Sequence, residues 1–205
     1  MLTNQKITDF LQKTASGTQV PGGGSVSALS AALGAGLTEM VANLTIAKKG
    51  YEAVESEMKA IAETLQTLRK KLTTEVDKDS NAYKGVLAAF KLPKTTEAEK
   101  EVRAATIQDA MKNAARVPLG VAYDALQVMD LAETAIRNGN RNAVSDGAVG
   151  TMMARTAVLG ALFNVKINLA SVKDEAFVEE MMREVNQLES RVHEREAEIL
   201  SYVTL

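Results

Sequence analysis

Between Ser25 and Ala47 the chain carries a single ionisable side chain, Glu39, and this run follows directly on Pro21-Gly22-Gly23-Gly24-Ser25. A stretch so poor in charge has to be enclosed, either by a bilayer or by the rest of a folded protein. Its length suits a membrane span, which takes about 20 apolar residues. Its composition does not. Ser27, Ala28, Ser30, Ala31, Ala32, Gly34, Ala35 and Gly36 contribute little transfer free energy, no aromatic belt flanks the run, and Glu39 is costly within a span. The stretch predicts a helix buried on most sides inside a helical protein. Ala28, Ala32 and Gly36 form a small-residue face against which a neighbouring helix can come close.

Three successive glycines lose more backbone entropy on folding than any other tripeptide, so an ordered fold needs a reason to hold them. They let the backbone turn sharply into the helix, or they let a ligand approach it. Ser25 reads as the N-cap, its hydroxyl accepting from an orphan amide of the first turn. The amides of Gly23, Gly24 and Ser25 then face outward beside the positive end of the helix dipole, which suits an anion. A plain glycine linker is the alternative this stretch alone leaves open. Lys48-Lys49-Gly50 is expected to close the helix, with cations at its negative end and glycine as C-cap.

Composition narrows the chemistry. The 205 residues suffice for one domain with its own core. Cysteine and tryptophan are absent and His193 is the only histidine. Thiol nucleophiles, disulfides, Cys/His zinc sites and Ser-His-Asp triads are thereby excluded, and acid–base work falls to Asp, Glu, Lys or Tyr. A formal charge of −2 offers no footprint for nucleic acid. The N-terminus lacks a basic segment followed by an apolar run, so a cytoplasmic protein is expected.

The other helices follow from periodicity. A first helix is expected over residues 3–13, with Ile7, Phe10 and Leu11 on one face. A third, over residues 52–91, carries Val54, Met58, Ile61, Leu65, Leu68 and Leu72 in alternating steps of four and three, a narrow stripe suited to lying against other helices. Continued, the stripe meets Val76, Asp79, Tyr83, Val86 and Phe90. At 100° per residue Asp79 lies about 20° from the line through Leu72, whereas Asp77 lies about 140° away and is expected in solvent. A carboxylate where the pattern calls for a hydrophobe either pairs with a lysine, caps a neighbouring helix or has a raised pKa and a functional role. Asp79 is therefore the catalytic candidate that periodicity offers.

Thr96-Glu97-Ala98-Glu99 is a capping box opening a fourth helix that runs to about residue 137. Pro118 within it predicts a kink. Asn140, Asn142, Ser145 and Asp146 precede a second nearly apolar helix over residues 147–169, which Ser145 or Asp146 is positioned to cap. Asn164 and Asn168 lie one turn apart on that helix, sharing a face, and need partners in a helix backbone or in the edge of a heterocycle. The last helix, over residues 174–203, buries Phe177, Met181, Val185, Leu188, Val192 and Ile199, with His193 off the stripe. The expected architecture is one all-α bundle over residues 1–205, two nearly apolar helices at its centre, self-associating most simply as a two-fold dimer.

This ordered set resembles the cyclodeaminase/cyclohydrolase family of folate one-carbon metabolism. The resemblance is carried by Pro21-Gly22-Gly23-Gly24-Ser25, Ala32-Leu33-Gly34-Ala35, Met40-Val41-Ala42-Asn43-Leu44-Thr45, Lys48-Lys49, Asp79-Ser80-Asn81-Ala82-Tyr83, Leu92-Pro93-Lys94, Val117-Pro118-Leu119, Gly139-Asn140, Ser145-Asp146 and Asn164-Val165 with Asn168. It implies an all-helical homodimer with a folate pocket near the subunit interface, and Asp79 as proton donor and acceptor. It places Gly22, Gly23, Gly24, Ser25, Lys48, Lys94, Asp146 and Asn164 as substrate contacts, the lysines facing the carboxylate tail. It calls for no metal and no cofactor beyond the tetrahydrofolate substrate, and allows for a separate formiminotransferase as a functional partner. The implied reaction is cyclodeamination of 5-formiminotetrahydrofolate to the 5,10-methenyl compound and ammonia. The alternative is cyclohydrolase interconversion of the methenyl and 10-formyl compounds, and a non-catalytic helical module is the remoter one.

Overall fold

The structure is a computed structural model describing residues 1–204. Among these residues the chain forms six α-helices and no strand: α1 (Ile7–Thr14), α2 (Gly23–Asn43), α3 (Glu55–Phe90), α4 (Glu97–Asn138), α5 (Val144–Leu169) and α6 (Glu175–Ser201). Helix α2 packs against α3, α4 and α5, while α6 covers α5 and α4 from outside. The charge-poor run is thus the central element, as its composition requires. Ala28, Ala31, Ala35, Val41 and Ala42 are fully buried.

A close backbone approach falls at Gly34, two residues from each of the expected Ala32 and Gly36. A Cβ on Gly34 would meet the Gly150 carbonyl of α5 at 2.7 Å, and one on Gly150 would meet the Gly34 carbonyl at 3.1 Å. These two glycines let α2 and α5 touch backbone to backbone. Glu39, the single charge of α2, forms a forked pair with Arg69 of α3 (Nε–Oε2 2.6 Å, Nη2–Oε1 3.3 Å).

The α3 stripe is buried from Met58 through Ile61, Leu65, Leu68 and Leu72 to Val76. Each such side chain contributes about 1.5–3 kcal/mol of gross transfer free energy. The stripe frays toward the end of α3, where Val86 is only half-buried and Phe90 is exposed. On α6 the face from Met181 to Ile199 is buried as its spacing predicts, and His193 is exposed. Arg195 ties α6 to α4 through Asp130 at 3.0 Å and Glu133 at 2.6 Å. The capping box forms: Thr96 Oγ1 accepts from the Glu99 amide at 3.2 Å, and Glu99 Oε2 from the Thr96 amide at 3.0 Å.

Four local expectations are corrected. Helix α2 ends at Asn43 rather than at Lys48-Lys49-Gly50, because Asn140 binds across its C-terminal end, donating to the Leu44 carbonyl at 3.2 Å and to Thr45 Oγ1 at 2.8 Å. On α1 only Phe10 is buried; Ile7 and Leu11 stand in solvent, since the short helix has one contact line. Asp77 is not solvated. It accepts from the Leu2 amide at 2.6 Å and the Thr3 hydroxyl at 2.7 Å, pinning the N-terminal segment to α3. Neither Ser145 nor Asp146 caps α5, whose N-cap position is Ala143; Asn140 instead caps the preceding 3-10 turn.

Helix α4 continues through Pro118. Proline has no N–H for the carbonyl four residues earlier, which is that of Ala114. Asn168 of α5 supplies the missing donor: its Nδ2 lies 2.8 Å from the Ala114 oxygen. A defect in one helix is thereby repaired by a side chain from another.

Candidate active site

The N-terminus of α2 and the middle of α3 cross at the glycine run. The N-cap position is Gly22, and the helix begins at Gly23 with no capping side chain from its own segment. Ser25 therefore lies inside the first turn and is fully buried, a correction to its expected role as N-cap, and it is not among the residues lining the cavity described below. Its hydroxyl reaches the Val76 carbonyl at 3.0 Å and Asp79 Oδ2 at 2.9 Å. Asp79, from α3, takes the capping place.

That placement depends on Gly24. A Cβ there would fall 2.5 Å from Asp79 Cγ and 2.8 Å from Oδ2, and closer still to Oδ1. The carboxyl thus lies directly over the helix backbone, where only glycine leaves room. Burial pushes Asp79 above the usual carboxylate range, and hydrogen bonds from the Ser25 hydroxyl and amide oppose the shift. A half-buried acid held this way can exchange a proton nearer neutral pH than a solvated aspartate can.

Asp79 opens onto a cavity of about 220 Å³. One wall is the segment Gln19, Val20 and Gly22 to Gly24; another is the α3 face of Asp79, Ala82, Tyr83 and Val86. Met111 and Ala114 of α4 form the floor, and Asn164, Ile167, Asn168 and the following Ser171 close the far side. Asn164 donates to the Gly160 carbonyl at 2.8 Å and stands against Gly23, where a Cβ would meet its Nδ2 at 3.1 Å. Both asparagines spend an amide hydrogen on helix backbone, and both line the cavity. The Tyr83 hydroxyl bonds to Gln19, linking α3 to the glycine-bearing segment.

Of the expected site residues, the cavity brings together Asp79, Gly22, Gly23, Gly24 and Asn164. Lys48 does not line it: α2 separates Lys48 from Gly23 by about 30 Å of helix rise. Asp146 stands at the start of α5, about 27 Å of helix rise before Asn164. Lys94 is exposed in the α3–α4 connection, outside the lining. Residues not singled out as contacts include Gln19, Met111 and Ser171, which carry no local pattern. Tyr83 could have been found from the stripe, being one turn beyond Asp79. Among the described residues no cluster of His, Cys, Asp or Glu is arranged to hold a metal ion.

Residues 6–187 match the family model described as formiminotransferase-cyclodeaminase. The chain belongs to that family. It is 42% identical over 188 residues to a methenyltetrahydrofolate cyclohydrolase of Methylorubrum extorquens, covering 92% of this chain and 90% of the relative. It is 34% identical to the pig formimidoyltransferase-cyclodeaminase over 91% of its own length, but spans only 35% of that protein. A solved formiminotetrahydrofolate cyclodeaminase from Thermotoga maritima superposes with a TM-score of 0.88 at 30% identity, over 99% of this chain and 98% of that one. The all-helical fold expected from the sequence is present.

Proposed function

We propose that this protein is an enzyme of folate one-carbon metabolism that makes or opens the 5,10-methenyl ring of tetrahydrofolate, with Asp79 as the proton-transfer group. The observation that carries the reading is a half-buried carboxyl, held over the glycine turn, facing a cavity lined otherwise by amides, apolar side chains and the hydroxyls of Tyr83 and Ser171. Its volume of about 220 Å³ suits the bicyclic head of the substrate, with the anionic tail outside. The tail contacts expected of Lys48 and Lys94 are not supported by their positions within a single subunit.

The cyclohydrolase reaction is the first choice, supported by the 42% identity to a relative of nearly the same length. Water adds to the methenyl carbon as the Asp79 carboxylate takes its proton. The bond from that carbon to N5 then breaks, N5 is protonated by the same carboxyl, and 10-formyltetrahydrofolate leaves with release of one proton overall. Cyclodeamination is the second choice, supported by the Thermotoga likeness. There N10 attacks the carbon of the formimino group protonated on its nitrogen, Asp79 takes the N10 proton and delivers it to the amino nitrogen of the adduct, and ammonia departs as the bond from carbon to that nitrogen breaks. Both routes need one carboxyl that gains and loses a proton, and its anion stabilises the cationic methenyl ring.

The test is to incubate the protein with 5,10-methenyl- and 5-formiminotetrahydrofolate separately while following the methenyl absorbance. Loss of the chromophore by hydrolysis identifies the first reaction, and its appearance with ammonia the second. Asp79→Asn should retain the helical fold and lose about 10²-fold or more in turnover, the scale of a lost general acid–base. Full activity in that variant removes Asp79 from the mechanism.

The enzyme is further proposed to be a homodimer. Val26, Leu33 and Met40 of α2, Leu44 just beyond its end, and Val149, Met152 and Phe163 of α5 form exposed apolar surface on adjacent helices. Gly23 and Asn164 border both that surface and the cavity, so a second copy seated there would flank the site. Helix α2 and the segment Arg141–Leu169 are long and apolar enough to cross a bilayer, but 67% and 50% of their apolar windows are buried within the protein. A dimer accounts for the remainder.

A further inference from the structure

Ser25 is fully buried and has one hydroxyl proton, yet two acceptors stand within reach of it. Asp79 Oδ2 is 2.9 Å away and the Val76 carbonyl 3.0 Å away. A hydroxyl donates to one acceptor at a time and keeps its lone pairs for an incoming donor. The arrangement matches what a carboxyl that changes charge requires of its neighbour. When Asp79 is ionised it can only accept, and Ser25 donates to Oδ2. When Oδ2 carries a proton it becomes a donor, and the serine oxygen has to receive it. Ser25 can do so only if its own proton has another place to go, and the Val76 carbonyl provides that place.

We propose that Ser25 is a two-position positioning residue for Asp79: its hydroxyl points to Oδ2 in the ionised state and turns to the Val76 carbonyl in the neutral state, so that the carboxyl stays in place through both halves of the proton cycle. No proton leaves Ser25 and no covalent bond changes; one C–O torsion rotates. Both acceptors belong to α3, one turn apart, so the serine of α2 needs no movement of either helix. Buried hydrogen-bonding groups remain satisfied in both states, which matters because an unpaired one is costly away from water. The proposal rests on Asp79 being the proton carrier of the folate reaction above.

Other titratable groups around Asp79 are otherwise engaged. Tyr83, the only other titratable side chain lining the cavity among the described residues, bonds to Gln19. On α3, Asp77 binds the N-terminal segment and Lys78 pairs with Glu75 at 2.8 Å. The first turn of α2 carries no charged side chain, and α5 presents only Asn164, Asn168 and Ile167.

The test combines a spectroscopic titration with kinetics. The Asp79 carboxyl is followed by isotope-edited infrared difference spectroscopy in the wild type and in Ser25→Ala and Ser25→Cys, with Asp79→Asn as the blank. Both serine replacements avoid adding bulk that needs a new space of more than one atom's difference, and circular dichroism checks that each is folded. Ser25→Ala should raise the titration midpoint by about one pH unit, the difference between a hydrogen bond to the ionised carboxylate and one from the neutral acid. Ser25→Cys, a weaker donor, should fall between. The limb of the kcat–pH profile assigned to Asp79 should move with the midpoint while KM stays within about twofold. An unmoved midpoint in folded Ser25→Ala overturns the proposal, as does a moved midpoint with a stationary kcat limb. If the wild type turns over none of the folates, the functional reading fails, while a moved midpoint still establishes the coupling of Ser25 to Asp79.

Discussion

Gly24→Ala separates catalysis from folding at this site. The added methyl would stand 2.5 Å from Asp79 Cγ and 2.8 Å from Oδ2. To regain ordinary van der Waals separation the carboxyl has to retreat by about 1 Å or more, because the other side of the contact is helix backbone. Retreat breaks the bond from the Ser25 hydroxyl, with a net cost of about 1.5–3 kcal/mol for a charged acceptor. Replacing glycine by alanine in a helix returns up to about 1 kcal/mol, less in a first turn. The net change is a destabilisation of about 1–2 kcal/mol, or a fall in Tm of only several degrees for a chain of this size. A displacement of about 1 Å in a reacting group costs about 100-fold in rate, or about 2.7 kcal/mol in the barrier. The expected outcome is a folded protein with turnover of the methenyl compound reduced about 100-fold. Gly23→Ala is the control: its methyl meets only the end of the Asn164 side chain, at 3.1 Å, which can swing aside, so its loss should be much smaller. Wild-type kcat in Gly24→Ala would refute the claim that this glycine exists to seat the acid.

Three further outcomes follow from the same geometry. Asp79 has a folded-state pKa above its ordinary 3.8, so its contribution to stability is full below about pH 4 and is lost as pH rises through the folded value. Asp79→Asn has no such loss, and its Tm relative to wild type should rise as pH increases from about pH 4 through the folded value; a flat difference would show the carboxyl to be solvated. Asn168→Ala should cost about 1–3 kcal/mol by orphaning the Ala114 carbonyl, and denaturant unfolding should show a smaller cost in a Pro118→Ala background, where a helix N–H is restored; additive effects would dissociate the two residues. Leu33→Glu on the exposed α2 face should convert the proposed dimer to a monomer in sedimentation velocity, and an unchanged dimer would place the interface elsewhere.

Much of this architecture is written in one-dimensional patterns because burial along a helix repeats with its turn. The stripe from Met58 to Val76 and the face from Met181 to Ile199 are buried as spaced. The charge-poor run ending near Asn43 had to be central, since nothing else could cover it. Asp79 stood out as an acid on an apolar line. What periodicity does not carry is the identity of the partner across the gap. Ser25 looked like a cap for its own helix; it proved to serve a carboxyl of α3, which caps in its place. Asp77 looked solvated because its helix alone left it outward, and the returning N-terminus filled that side. Lys48 and Asp146 belong to the same ordered set of motifs as the cavity residues, yet rigid helices carry them away from the cavity. Hydrogen bonds between Asn168 and Ala114, or between Ser25 and Val76, join positions more than fifty residues apart, and their geometry exists only once the helices have packed.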